Sequence, residues 1–516
     1  MQPFPAKWCY LLAPAAGAFA PFALAPYGWW PLGIISLLLL LACLQQARPK
    51  RGFLLGWLYG LGLYGAGVSW VYHSIHDYGY AAPPLAGGLT LLFVAGLALL
   101  FTASFGYTFA RLFRGKCWGA LLGFPALWVL FEWLRSWLLT GFPWLLSGYA
   151  HTDTALAYWA PVLGTYGISF IVALSASSLY LMLSQFRGQQ LDRYFALYAS
   201  LFMLPWLGAL LLSQVSWTQP QGQPISVTLL QPNITQDVKW KPEQRNKTLN
   251  QLYMQTRLSL DSDLVIWPEN AVPLLQDQAK PFLDEMDALT RQSGTTLITG
   301  IPWRHRDDNG DEILHNSITA LGTGNGVYHK QKLVPFGEYV PLQSLLRGLI
   351  NFFNLPMSTF RTGPAEQSPL IAKAHGEELT VSPFICYEIV YPDFVRDLAK
   401  HSHLLLTISD DSWFGTSAGP LQHLQMARMR ALENGRYLMR GTNTGVTAII
   451  DHHGQITARA ESFVKENLSG DVWIVSGRTP FSHTGSWPVL LLCATLVAIC
   501  LRSPARLYAE SKPGKA

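Results

Sequence analysis

Three residues in the middle of the chain have the types needed for acyl transfer: Glu269 in IWPEN, Lys330 in YHKQKLVPFGE and Cys386 in FICYEIVYP. Of six cysteines, only Cys386 lies outside an apolar run; Cys9, Cys43, Cys117, Cys493 and Cys500 sit in or beside long hydrophobic stretches. No two have CxxC spacing, so no disulfide framework is expected. An unpaired thiol in an oxidising compartment is a liability unless it does chemistry. A thiol attacks as its thiolate, and with an ordinary pKa of about 8.5 it needs a base or a cation nearby. Glu269 can take that proton and later return it to a leaving group. Lys330 can steady the negative charge of a tetrahedral intermediate, together with backbone N–H groups after Cys386. Glu338 is a second carboxylate close to the lysine in sequence, suited to holding Lys330 or relaying protons. Each residue alone says little, since a single loop Glu or Lys is usually solvated and a single buried Cys is usually inert. The combination, in local motifs and in this order, carries the reading.

The elements that must position these groups read as an α/β layered domain. Apolar runs at 225–231, 263–267, 295–300, 315–321, 379–386, 403–409 and 445–450 predict strands. Helical patterns fall between them at 241–261, 280–293, 391–400 and 420–436. Catalytic groups in such folds sit at strand ends and on the loops that follow. Glu269 and Cys386 occupy such positions, and Asp411 and Trp413 follow the HLLLTIS strand in the same way. Gly322-Thr323-Gly324-Asn325-Gly326 reads as a hairpin turn rather than a phosphate cradle. The segment 342–360 has apolar residues at helical spacing, broken by Pro356 and preceded by Pro341. It suits either a core helix or an apolar lid on the bilayer, with Leu345, Leu346 and Phe353 on the lid.

The rest of the chain has a different composition. Half of the 516 residues are hydrophobic and 13% are charged, about half the charged fraction of a soluble protein. A spanning helix needs roughly 20 apolar residues. About eight candidates occur, near 8–26, 29–46, 53–74, 86–110, 117–138, 157–184, 194–213 and 486–502. Ala18-Phe19-Ala20 mimics a signal-peptide cleavage site, but Pro21 directly after it opposes cleavage. The expected organisation is a membrane domain over 1–214 with about seven spans, an extramembrane domain over 215–485, and a last span with its tail over 486–516. Lys and Arg gather in alternate loops: Arg48, Lys50 and Arg51; Arg111, Arg114 and Lys116; Arg187 and Arg193; then Arg502 and Arg506. The intervening loops at 27–28, 75–85 and 139–156 have none. The positive-inside rule then places both termini in the cytoplasm and the 215–485 domain in the periplasm of a bacterium. The same placement accounts for the net charge of +5, and no nucleic-acid motif is present. Trp29, Trp30, Trp137 and Trp144 suit an aromatic belt. Glu132 and Arg135 share a helix face within a span and suggest a structural ion pair.

WPEN, K-x-x-L-V-P-F-G-E and CYE resemble the three signature patches of the nitrilase, or carbon–nitrogen hydrolase, superfamily. The resemblance implies a Glu-Lys-Cys triad on an αββα sandwich, and it selects Lys330 as the lysine eight residues before the PFGE glutamate. Lys332 stands where that superfamily commonly has a histidine. With LVPFGEYVPL, ICYEIVYPD, DSWFG and HLQMARMRALENGR, and with spans on both sides, the whole chain resembles the bacterial apolipoprotein N-acyltransferases. That resemblance implies a multi-pass protein of the bacterial inner membrane, a monomer without metal or dissociable cofactor. It implies a phospholipid acyl donor, typically phosphatidylethanolamine, and as acceptor a lipoprotein whose N-terminal cysteine carries a diacylglyceryl group. It also implies supporting roles for Trp240, Tyr387 and Glu388, and Asp410 stands where that family more often has Asn. The alternative is a membrane-tethered amidase or hydrolase using the same triad, with water as the second nucleophile.

Overall fold

The computed structural model describes residues 5–187, 194–306, 309–335, 337–339 and 360–502. The expected lid residues Leu345, Leu346 and Phe353 lie outside the described residues. The chain divides into two compact units. One is formed by the N-terminal residues to Tyr72, Ala82–Val215 and the residues from Ser486 on; the other by His73–Ala81 and Ser216–Gly485.

The first unit is helical wherever a span is expected, but its helices are not equal rods. Among the described residues, Pro83–Phe113, Ala155–Gln185 and Phe195–Leu212 are long and apolar enough to cross a membrane, with up to a fourth if a bent pair beginning at Pro49 counts as one. Cys9–Ala23, Pro31–Leu44 and Trp487–Arg502 are shorter apolar helices. Small residues let these helices close on one another, as they do in apolar bundles. A Cβ on Gly56 would lie 2.2 Å from the Thr102 carbonyl oxygen, so that helix pair meets backbone to backbone. Glu132 and Arg135 are buried but serve different partners, unlike the expected ion pair. Glu132 Oε1 accepts from Trp128 Nε1 at 3.0 Å and from Ser147 N and Oγ at 2.8 Å. Arg135 donates to Tyr64 Oη at 3.2 Å and to the Leu145 carbonyl at 3.4 Å. The irregular chain that follows this helix supplies polar atoms nearer to each side chain than the two are to one another. Trp29 and Trp137 are exposed, as a belt requires, whereas Trp144 is buried, 5.1 Å from the Trp70 ring.

The second unit is a pair of six-stranded sheets. The chain lays down β1 (Thr218–Gln231), β2 (Leu264–Ile266), β3 (Thr296–Arg306), β4 (Glu312–Gly322) and β5 (Val327–His329). It then builds β6 (Leu370–Ala374), β7 (Glu377–Ile385), β8 (Leu404–Ser409), β9 (Leu438–Thr442), β10 (Ala448–Ile450) and β11 (Ile456–Arg459). Finally β12 (Glu466–Gly477) returns to the first sheet. The orders are β12-β1-β2-β3-β4-β5 and β11-β10-β9-β8-β7-β6. Each sheet has a parallel centre, β1-β2-β3 and β7-β8-β9, with antiparallel strands outside it. That explains why LVI and LLLTIS lack a charged or exposed face: strands covered on both faces have no solvated side to show.

The sheets share one apolar layer, with Leu229, Ile266 and Ile298 from the first and Val381, Ile385, Ile408 and Met439 from the second. The outer face of the first sheet is covered by helices Pro242–Arg257 and Lys280–Ser293, whose Leu252, Leu283 and Met286 pack with Trp267 and Leu297. Helices Pro392–Ala399 and Gly419–Asn434 contact β7 and β9 of the second sheet. The result is an αββα sandwich. The Gly322–Gly326 run joins the antiparallel strands β4 and β5, so it is the hairpin turn expected.

Candidate active site

Both strand ends that carry the candidate residues turn sharply. After β2 the chain runs through Trp267 and Pro268 to Glu269, and the next residue, Asn270, is left-handed at φ 45°. This turn rests against Gly300 of β3. A Cβ there would come within 2.7 Å of Pro268 O, Asn270 N and Ile408 Cδ1, so only glycine lets the glutamate loop lie this close. After β7, Cys386 itself is left-handed at φ 50° and starts a short helical turn to Val390. A non-glycine residue in this region stores strain that its surroundings must hold.

Glu269, Lys330 and Cys386 are all buried. Lys330 Nζ lies 3.7 Å from Glu269 Oε1 and 2.8 Å from Glu338 Oε2. Asn316 Nδ2 donates to Glu269 Oε1 at 2.7 Å and to Glu338 Oε1 at 2.9 Å, tying the two carboxylates together. Val334 N holds Glu338 Oε2 at 2.9 Å, and Asp410 N holds Glu269 Oε2 at 2.9 Å. Burial raises the Glu269 pKa, Lys330 opposes that, and Glu338 adds to it. Burial also works against the Lys330 charge, but Glu338 and Glu269 outweigh it and hold the ammonium above its usual range. Burial pushes the Cys386 thiol up, the Glu269 carboxylate pushes it further, and Lys330 partly offsets both. The resting thiol therefore keeps its proton, beside a carboxylate whose own pKa is also raised.

Glu388 fastens the cysteine turn to the lysine segment. Its Oε2 accepts from Ile385 N at 2.7 Å, and its Oε1 accepts from Gln331 N at 2.6 Å, Tyr328 Oη at 2.9 Å and Lys332 N at 3.1 Å. Burial raises its pKa to about 7 against these backbone donors. One carboxylate thus fixes the residues before Cys386 and after Lys330.

The chain matches the family described as apolipoprotein N-acyltransferase N-terminal domain over residues 16–178, and carbon–nitrogen hydrolase over residues 226–478. It is 46% identical over 488 residues to an apolipoprotein N-acyltransferase of Pseudomonas syringae pv. tomato, covering 94% of this chain and 95% of that one. It is 48% identical over 499 residues to a Pseudomonas aeruginosa protein of the same name, covering 95% and 94%. A Coxiella burnetii relative, also so named, is 40% identical over 482 residues, covering 93% and 97%. The chain belongs to the apolipoprotein N-acyltransferase family. By that membership it is an acyltransferase with a nitrilase-like domain.

Within this family member, the structure gathers Glu269, Lys330, Cys386, Glu338 and Glu388 in one buried cluster. Tyr387 is buried beside it, its ring 5.4 Å from that of Tyr391. Trp240 stays half exposed; Gln236 accepts from its Nε1 at 3.3 Å and donates to Asp410 at 2.6 Å, and the Lys239 ammonium lies 6.0 Å from its ring. Lys332 turns its ammonium toward the rings of Tyr391 and Phe394, at 5.8 and 5.6 Å. The Asp410 departure has a partner: buried Lys239 donates to its Oδ2 at 2.8 Å. Ser412 also bonds to Asp410. Asn316 and Lys239 escaped the sequence reading. Asn316 hides inside a strand, and Lys239 was overshadowed by Trp240 beside it.

Proposed function

We propose that this chain moves a fatty acyl group from a phospholipid to the α-amino group of the N-terminal S-diacylglyceryl-cysteine of a lipoprotein, through a thioester on Cys386. The observation that carries the proposal is the buried meeting of a thiol, a carboxylate of raised pKa and an ammonium at the ends of β2, β5 and β7, in a chain of this family.

Cys386 Sγ attacks the ester carbonyl carbon and its proton passes to Glu269. The carbonyl oxygen, now negative, faces Lys330 and backbone N–H groups after Cys386. The C–O bond breaks, Glu269 returns the proton to the departing glycerol oxygen, and lysophospholipid leaves. The lipoprotein amine, partly neutral with a pKa of about 8, attacks the thioester and gives a proton to Glu269. The C–S bond breaks, the sulfur regains a proton, and an amide remains. Glu338 keeps Lys330 in place throughout. Burial of the cluster favours the amine over water as second nucleophile. Phosphatidylethanolamine is the proposed donor. The proposed setting is a monomer in the bacterial inner membrane, with the catalytic domain periplasmic and both termini cytoplasmic, by the distribution of Lys and Arg.

The test is intact-protein mass spectrometry after incubation with a phospholipid of defined chains. A mass gain of one acyl group at Cys386, absent from Cys386→Ala and discharged by a diacylglyceryl-cysteine peptide to give an amide, is expected. An acyl-enzyme that water discharges as fast as the peptide would point instead to the hydrolase alternative. A Cys386→Ala variant that transfers at full rate would remove the mechanism.

A further inference from the structure

We propose that His423 is a positioning residue for the nucleophile, acting through the carbonyl of Cys386 itself. The proposal deepens the reading of Cys386 as the attacking residue and rests on it.

The left-handed turn at Cys386 needs something to hold it. Glu388 holds it in front, through Ile385 N. Behind, His423 Nε2 lies 3.1 Å from Cys386 O. A carbonyl only accepts, so Nε2 carries the proton and donates it there. Across the ring, Nδ1 faces Arg440 Nη2 at 3.2 Å and Asp411 Oδ1 at 3.1 Å, one donor and one acceptor. Asp411 is itself fixed by Arg440 Nη2 at 2.6 Å and Ser409 Oγ at 2.6 Å. Burial and the Arg440 guanidinium push the imidazole below its usual range, against the pull of the Asp411 carboxylate, which favours the neutral ring; the Cys386 carbonyl then places its one proton on Nε2. His423, Asp411 and Arg440 come from a helix, from the turn after β8 and from β9, and all are fully buried. Asp411 and Arg440 thus belong to the frame of the second sheet, and the ring passes their rigidity to one peptide group.

That peptide group matters because it is planar and trans. Fixing Cys386 O toward His423 directs the N–H of Tyr387 the opposite way, away from the ring. An N–H so directed is one of those proposed to meet the oxyanion. Losing the Nε2 donor lets the peptide rotate, and both Sγ and that N–H lose their aim. His423 touches no reacting atom, so it positions rather than reacts.

The experiment uses the full-length protein in detergent, as wild type, His423→Gln, His423→Asn and His423→Ala. The Gln side-chain amide reaches the place of Nε2, whereas the Asn amide reaches only that of Nδ1. Two rates are read across pH: single-turnover acylation by phosphatidylethanolamine in mixed micelles, and alkylation of Cys386 by iodoacetamide, quantified on its own peptide. His423→Asn and His423→Ala are expected to acylate at least about tenfold more slowly at saturating lipid with an unchanged half-saturation, and His423→Gln to stay within about threefold of wild type, because small misplacements of a nucleophile cost rate rather than binding. Alkylation should follow the same ranking. A purely structural histidine would rank the variants by melting temperature instead. The proposal is overturned by wild-type rates in His423→Asn, or by Gln and Asn variants that are equally slow. Should the wild type form no acyl-enzyme, the acyl-transfer reading fails, and the alkylation ranking alone decides the role of His423.

Discussion

Replacing Lys330 by Met keeps most of the stem and removes the ammonium between Glu269 and Glu338. The lysine is 1% exposed, with carboxylate oxygens at 2.8 and 3.7 Å. Removing one partner of a buried ion pair costs about 3–5 kcal/mol, because the other charge is left in a poorly solvated place. Each kcal/mol shifts the melting temperature of a domain of this size by roughly 2–4 °C, so a fall of about 6–20 °C is expected for the catalytic unit. The chemical loss is separate. Without a cation facing the oxyanion, acylation should slow by about 10²–10³-fold. The double variant Lys330→Met/Glu338→Gln distinguishes the two effects. It removes one stranded carboxylate, so about half of the lost melting temperature should return, while acylation stays as slow as in the single variant. Thermal unfolding in detergent and single-turnover acylation by mass spectrometry provide the readouts. The reasoning fails if Lys330→Met acylates at the wild-type rate, or if the double variant regains activity with its stability.

Three further outcomes are expected. In the proposed mechanism acylation needs Glu269 ionised, and burial raises its pKa. The rate should therefore rise with pH along a limb above the ordinary carboxylate value of about 4.3, and Glu338→Gln, which removes a like charge, should move that limb to lower pH in single-turnover profiles. Glu388→Gln keeps a single acceptor oxygen for four donors, so at least one buried backbone N–H loses its partner; a denaturation midpoint should report about 1–3 kcal/mol. Asp410→Asn leaves Lys239 buried without its carboxylate and should cost about 3 kcal/mol, most of it recovered by adding Lys239→Met, as a thermal double-mutant cycle would measure.

The parts of the fold legible in the sequence were those whose burial is apolar and local. The helix expected at 280–293 is Lys280–Ser293, and the strand expected at 403–409 is Leu404–Ser409. The strands that escaped are stabilised by something not visible nearby. β9, LMRGT, carries Arg440, which reads as a surface residue but is buried against Asp411. β12 pairs with β1, which lies more than 200 residues earlier in the chain, and its first half, ENLSGD, is polar enough to look like loop. The candidate triad stood out in the sequence because its motifs are short and contiguous. His423 and Asn316 were not, since each matters only through a partner brought near by folding. The shape of the spans was also hidden, because a proline within an apolar stretch does not state whether the helix bends or ends.

Glu269 and Lys330 ride on the first sheet, while Cys386 and Asp411 ride on the second, and between them Gly300 meets the tip of Ile408. The distance from the Glu269 carboxylate to the Cys386 sulfur is thus set like the gap of a caliper, by how far the two leaves stand apart. A methyl group added or removed in the layer between them, well away from any reacting atom, would reset that gap. Turnover then becomes a sensitive gauge of packing, and the most damaging core substitutions need not be the ones that melt the protein first.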